Sequence, residues 1–363
     1  MQRRNFLKAA GLASTGFILP TAISSSFAQS ASPQRWRVFE VTTKVEVLKP
    51  AGVTRIWLPM PLTVDTAYQK NLGSTWSSGE GLAAAVVESN YRAGILSAEW
   101  ADSNAPVLTL VSRFATRDYS VDLNSRASNV ATPENVKIYL QPTRLLPIDG
   151  IVKTTADGIV KGAKSDIDKG RAIYEWVVEN TYRDPKTRGC GVGDVKTMLE
   201  TQTLGGKCAD INALFVALCR SAGVPARDIY GVRVADSSRG YRSLGKSGTI
   251  TKAQHCRAEF YAAGTGWIPV DPGDVRKVML EEEAGGLAID HEKVVKAREF
   301  LFGNWEMNWL AYNYAHDVAL PKSSRKAVGY LMYPQCETTE GSLDSLDPDN
   351  FKYEMTSREL TSV

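Results

Sequence analysis

The chain has 363 residues, with 43 Lys and Arg against 40 Asp and Glu, for a formal charge of +3. Arg3, Arg4 and Lys8 account for that excess, so the rest is near neutral and offers no basic block for nucleic acid or an acidic membrane surface. The length allows two domains with separate cores. Five cysteines (190, 208, 219, 256 and 336) form no Cys-x-x-Cys pair and no cluster with His, so neither a metal nor another cofactor is expected.

The N-terminus reads Gln2-Arg-Arg-Asn-Phe-Leu-Lys8, then an uncharged run from Ala9 to Ile23, then Ser26-Phe27-Ala28. Paired arginines, a short apolar run and small residues describe a twin-arginine export signal over residues 1–28, cleaved after Ala28, which predicts a periplasmic protein. Gly11, Gly16 and Pro20 interrupt the run, which is too short for a membrane span. Disulfides persist in an exported protein. If one of the five cysteines is a free nucleophile, the other four could form up to two bridges, and spacing leaves their pairing open.

From Trp36 the pattern is that of strands. Alternation at Trp36–Val45, Arg55–Pro61, Leu82–Glu88, Gly94–Trp100, Val107–Ala115 and Tyr119–Leu123 predicts an all-β sandwich-like domain over residues 34–125. Residues 126–150 read as a linker. From Ile151 the period becomes helical, with Ile159, Ala172, Ile173, Trp176 and Val177 on amphipathic helices ending near Asn180. The glycine-rich loop Thr187–Asp194 lacks the spacing and lysine of a phosphate loop.

Leu204-Gly-Gly-Lys-Cys208 opens the most informative stretch. Ile211, Leu214, Phe215, Leu218 and Ala222 recur at helix spacing, and Gly223 with Pro225 stops the helix. Gly205 and Gly206 suggest an unusual backbone before it. Cys208 then sits in the first turn on the buried face, where unpaired N–H groups and the helix dipole favour thiolate. Most free cysteines are simply small buried hydrophobes, so a nucleophile needs a base nearby.

The hairpin Gln254–Asp271 supplies one. His255, Arg257, Glu259 and Tyr261 share one strand face, and Trp267-Ile-Pro-Val-Asp271 runs back. Folding about Ala263 would set His255 opposite Asp271, close enough for an imidazole–carboxylate bond. A carboxylate in that position fixes the tautomer of a histidine that takes the thiol proton.

At this point the sequence resembles the transglutaminase-like superfamily. Gly206-Lys-Cys208, Gly223-Val-Pro-Ala-Arg227, Gln254-His-Cys256 and Gly266-Trp-Ile-Pro-Val-Asp271 carry the likeness, over about residues 165–275. Ala209 stands where the animal cross-linking enzymes have Trp, so the likeness is to the bacterial exported, peptidase-like branch. The resemblance implies an α+β fold with a papain-like, transglutaminase-type core, a nucleophile helix packed on an antiparallel sheet. It places the catalytic domain at residues 151–280 and implies a Cys208–His255–Asp271 triad acting through a thioester on a peptide, protein or cell-wall-related amide. Tyr182 matches an aromatic position of such bacterial domains. With Trp267 and Trp305 it is an oxyanion or substrate-contact candidate, beside the Cys208 backbone N–H.

Residues 281–363 read as an aromatic-rich extension packing on the core, with Asn304–Asp317 a packed layer or a wall over the cleft. His316 is the rival base, and Ser342–Val363 reads as a loosely held polar tail. Two other readings stand beside the enzyme. One is a non-catalytic periplasmic binding module with the same fold. The other is a disulfide from Cys208 to Cys219 or Cys256, though helix rise separates Cys208 from Cys219.

Overall fold

The computed structural model describes residues 35–102, 105–124, 136–347 and 349–360. The proposed export signal lies outside the described residues. Arg35–Val363 forms one compact unit, and no helix among the described residues is long and apolar enough to cross a membrane.

Two five-stranded antiparallel sheets are built largely from the first third of the chain. One runs in the order Gly248–Thr249, Phe351–Leu360, Arg37–Val47, Val107–Thr116, Gln69–Ser77. The other runs Gly341–Leu343, Gln335–Thr338, Thr54–Pro59, Gly94–Trp100, Leu82–Val87. Period-two alternation gives each sheet one apolar face. Val45, Leu108 and Phe351 from the first meet Ile56, Leu58, Leu96 and Cys336 from the second in a single core.

Six of these ten strands come from residues 34–125; the others arrive from beyond residue 247. The expected loose tail is therefore corrected. Phe351–Leu360 pairs along its whole length with Val38–Val47. Its inward residues Phe351 and Met355 are buried. The outward ones carry charge that pairs across the sheet, as in Arg358–Glu40 at 2.7 Å and Lys352–Glu46 at 3.3 Å. A half-polar strand of this kind looks like a tail when composition is read without its partner. The predicted strand at Tyr119–Leu123 is shorter, Tyr119–Ser120, and pairs with Asn304–Trp305 rather than joining the sandwich.

The helices are α1 (Gly150–Ile159), α2 (Asp166–Asn180), α3 (Val195–Glu200), α4 (Cys208–Ser221), α5 (Pro272–Glu281) and α6 (Glu292–Phe300). They pack against a four-stranded antiparallel sheet in the order Gly266–Val270, Gln254–Ala262, Ala226–Arg233, Trp309–Asn313. All fourteen residues of α4 are buried. The sheet closes one side and α1, α2 and α5 surround the rest, so a helix expected to show one apolar face is enclosed on every side. Ile211, Leu214, Phe215 and Leu218 are fully buried in this core, each contributing about 1.5–3 kcal/mol. Gly223 takes a left-handed φ of +79° at the end of α4, and the Val224 N–H donates to the Cys219 carbonyl at 2.9 Å, closing the helix. The start of this buried helix is thereby held against the strand that carries His255.

Candidate active site

Gly205–Gly206 runs parallel to Tyr182–Arg183 and delivers the chain to α4. Neither glycine has a left-handed φ. They are required by space, not by the unusual backbone expected from the sequence. A Cβ on Gly205 would lie 2.2 Å from the Tyr182 ring, and one on Gly206 would lie 2.4 Å from the Asp210 carboxylate. That carboxylate binds the helix start to the Thr187–Asp194 loop. Its Oδ2 accepts the Lys207 N–H at 2.9 Å, while Oδ1 accepts those of Val192 and Gly193 at 2.9 and 2.8 Å. Cys208, in the first turn, is 3% exposed. The Ala209 N–H donates to the Cys190 carbonyl at 2.9 Å.

The hairpin turns one residue later than expected. Ala262 pairs with Gly266 and Ala258 with Val270, so the line of Asp271 falls opposite Arg257 rather than His255. Moving the centre by a whole residue shifts each partner by two, which preserves the face. His255 therefore reaches Asp271 diagonally, with Nε2 at 2.7 Å from Oδ2. This leaves Nδ1 as the ring nitrogen for the thiol. The Trp309 indole donates to the His255 carbonyl at 2.9 Å and holds the strand.

Asp271 also caps α5. Its Oδ1 accepts the Asp274 N–H at 3.0 Å, with Pro272 preset for the first turn. Asn212, one turn beyond Cys208, donates to the Cys256 carbonyl at 2.8 Å and lies 3.4 Å from Asp271 Oδ1. Asp274 Oδ1 sits 3.4 Å from His255 Nε2 and 2.5 Å from Arg233 Nη2. Arg257 Nε lies 3.7 Å from Asp271 Oδ2. Asp210, Asn212, Asp274, Arg233 and Arg257 were not singled out from the sequence. The only local signals are the Asp three residues after Lys207, the Asn four after Cys208, and the Asp three after Asp271.

Charge follows this geometry. Burial opposes protonation of His255, as does Arg233. Asp274 and Asp271 outweigh both, and the imidazole pKa is raised above its ordinary value. The Cys208 thiol lies well below its ordinary range, because the Cys190 and Cys256 thiols and the His255 ring interact with its sulfur. Burial pushes Asp271 up, and the neighbouring Asp274 adds to this. Asp274 stays low despite its burial, because Arg233 adjoins it. His255, Asp271 and Asp274 offer ligand atoms within 4.8 Å of one another. The two carboxylates already face Arg233, Arg257 and the imidazole, so a cation there would have to displace those partners.

The other sequence candidates are spread out. Tyr182 is 47% exposed and lies over Gly205, beside the helix start. Trp267 is half-buried, stacked on Arg227 and edge-on to Tyr139 and Tyr261. Trp305 is fully buried; its indole donates to the Val270 carbonyl at 3.1 Å, and the ring packs on Tyr68 and Trp309. It lies in a packed aromatic layer behind the Gly266–Val270 strand. His316 faces Asp228 at 3.2 Å, both buried, on the edge of the Tyr230 ring. All five cysteines are free thiols, so the bridges considered from the sequence are absent. The Cys208 thiol shares a buried cluster with Cys190, Cys256 and Tyr333, and Leu346 packs against that cluster.

A family model described as the transglutaminase-like superfamily matches residues 153–272, a span that contains all three candidate residues. An uncharacterized protein from Haemophilus influenzae is 36% identical over 344 residues, covering 89% of this chain and 92% of that one. The chain belongs to the transglutaminase-like superfamily. Among solved structures, this transglutaminase-like chain is similar in fold to a Cytophaga hutchinsonii protein put forward as a cysteine protease. The TM-score is 0.56 at 15% identity, over 91% of this chain and 92% of the other. The periplasmic domain of TgpA from Pseudomonas aeruginosa aligns over 69% of this chain and 93% of that domain, with a TM-score of 0.36 and 14% identity.

Proposed function

We propose that this is an exported cysteine hydrolase or acyltransferase that opens an amide bond through a thioester on Cys208. The observation that carries the reading is the 2.7 Å bond between His255 Nε2 and Asp271 Oδ2. It fixes the tautomer in which Nδ1 can take the thiol proton. Cys208 attacks the amide carbonyl while His255 holds the proton. The developing oxyanion is met by the Cys208 N–H at the start of α4, beside the Tyr182 hydroxyl. His255 then protonates the leaving amine, and water or a second amine resolves the thioester with His255 again acting as base. Asp271 stays ionised throughout and orients the ring.

The substrate class is a peptide, protein or cell-wall-related amide. Because Cys208 is 3% exposed, the substrate gains access when the Thr187–Asp194 loop moves away from the start of α4. Location in the periplasm rests on the twin-arginine pattern of residues 1–28. The test is the pH dependence of iodoacetamide alkylation at Cys208, in the mature chain and in His255→Ala. Rapid labelling well below the ordinary thiol range, lost in the variant, supports an activated pair. An ordinary thiol profile in both refutes it and favours a binding module that keeps the fold without turnover.

A further inference from the structure

Three thiols meet at the start of α4, and the reaction proposed above uses one of them. Cys208, Cys190 and Cys256 belong to a single buried cluster with Tyr230, Met332 and Tyr333. Cys256 pairs with Tyr230 of the neighbouring strand and its carbonyl accepts the Asn212 amide at 2.8 Å, so its side-chain direction is fixed by the sheet. Cys190 stands on a loop between Gly189 and Gly191, whose φ values are +54° and +96°. Its carbonyl accepts the Ala209 N–H at 2.9 Å. Its thiol donates to the carbonyl of Gln254, the residue before His255, at 3.3 Å. One backbone hydrogen bond thus sets Cys190 beside the first turn of α4, next to the thiol it would have to reach to form a disulfide. Its thiol also interacts with the Cys208 sulfur and the Tyr333 hydroxyl, so it already faces the atom to which it would bond.

We propose that Cys190 and Cys208 form a dithiol site that exchanges with low-molecular-weight disulfides, closing to a reversible Cys190–Cys208 bond that withdraws the nucleophile. The proposal builds on the reading of Cys208 as an activated thiolate, since thiolate is the attacking species. The thiolate attacks one sulfur of the incoming disulfide, giving a mixed disulfide and releasing one thiolate, which takes the His255 proton. Cys190 then attacks Cys208 Sγ, forming the internal bond and releasing a second thiol that carries away the Cys190 proton. The chain loses two electrons and the reagent gains them. A small thiol reverses both steps.

The full mature chain, in wild-type form and as Cys190→Ser, is incubated anaerobically with hydroxyethyl disulfide, blocked with iodoacetamide and mapped by mass spectrometry after digestion. The expected wild-type product is a Cys190–Cys208 cross-linked peptide, with loss of alkylation at Cys208 restored by dithiothreitol, while Cys219 and Cys336 remain thiols. Cys190→Ser stops at the mixed disulfide on Cys208. A wild-type chain that also stops there, or that links Cys208 to Cys256, overturns the proposal and leaves the nucleophile standing. If Cys208 reacts with neither reagent in either chain, the proposal and the thiolate reading fall together. A thermal melt of Cys190→Ser matching wild type shows that the variant is folded when it is scored.

Discussion

Replacing Asp271 by Asn tests the core of the proposed mechanism with little disturbance of the fold. In the native structure one carboxylate oxygen takes the His255 Nε2–H at 2.7 Å and the other takes the Asp274 N–H at 3.0 Å. An Asn keeps the second bond through its carbonyl oxygen and caps a helix about as well as Asp. Its amide, however, presents N–H to Nε2. The imidazole must then place its own proton on Nδ1, facing the thiol it should deprotonate. Turnover on an amide substrate should fall by on the order of 10⁴, equivalent to about 5.5 kcal/mol of transition-state stabilisation. The melting temperature should move by only a few degrees. Asp271→Ala instead loses the cap as well, at about 1 kcal/mol, and leaves Arg257 without its carboxylate. The assay pairs iodoacetamide labelling of Cys208 across pH 5–9 (a range of about the ordinary histidine and thiol values) with thermal denaturation of each variant. A folded Asp271→Asn chain that labels with the wild-type pH profile would refute the tautomer argument.

Four further outcomes are expected. A lowered Cys208 and a raised His255 make the thiolate–imidazolium form populated between the two pKa values. Amide turnover against pH should therefore rise on an acid limb below the ordinary thiol range and fall on an alkaline limb above the ordinary histidine value. Asp274→Asn removes a negative charge 3.4 Å from Nε2 and frees Arg233 to repel the ring, so the alkaline limb moves to lower pH; an unmoved limb would exclude Asp274 from setting the imidazole charge. Gly206→Ala places a Cβ within 2.4 Å of Asp210, which should cost about 1–3 kcal/mol and speed labelling of Cys208 as the Thr187–Asp194 loop loosens, checked by denaturant melts and alkylation rates. Phe351→Ala, at a residue 1% exposed between the sheets, should cost about 3–5 kcal/mol while leaving the His255-dependent labelling of the folded fraction intact.

The parts of the site written into short local patterns were legible in the sequence. Cys208 follows Gly206 at the head of a helix-period run, and strand alternation put His255 and Asp271 within reach of each other on one hairpin; it was the resemblance to the transglutaminase-like superfamily that joined Cys208 to that pair. The hairpin centre was misplaced by one residue, yet strand parity kept the pair on one face. Arg233 and Asp274 were invisible because they are 41 residues apart and meet only through the order of strands in the central sheet. Asp210 was passed over because its partners, Val192 and Gly193, lie in a loop whose path is set by the helix it holds. The sandwich was legible as strands but not as a closed unit, because the partner of Val38–Val47 lies at residues 351–360 and alternation does not name a partner so distant.

The pairing of that last long strand with the first has a consequence for synthesis. A ribosome-bound chain that has emitted the opening strands carries two half-built sheets, one waiting for Gln335–Thr338 and Gly341–Leu343 and the other for Phe351–Leu360. Their open edges are templates for stray pairing, and the wait lasts while all the helices and the central sheet are being made. Without residues 351–360, Val38–Val47 would lose its partner on that side and present an exposed edge.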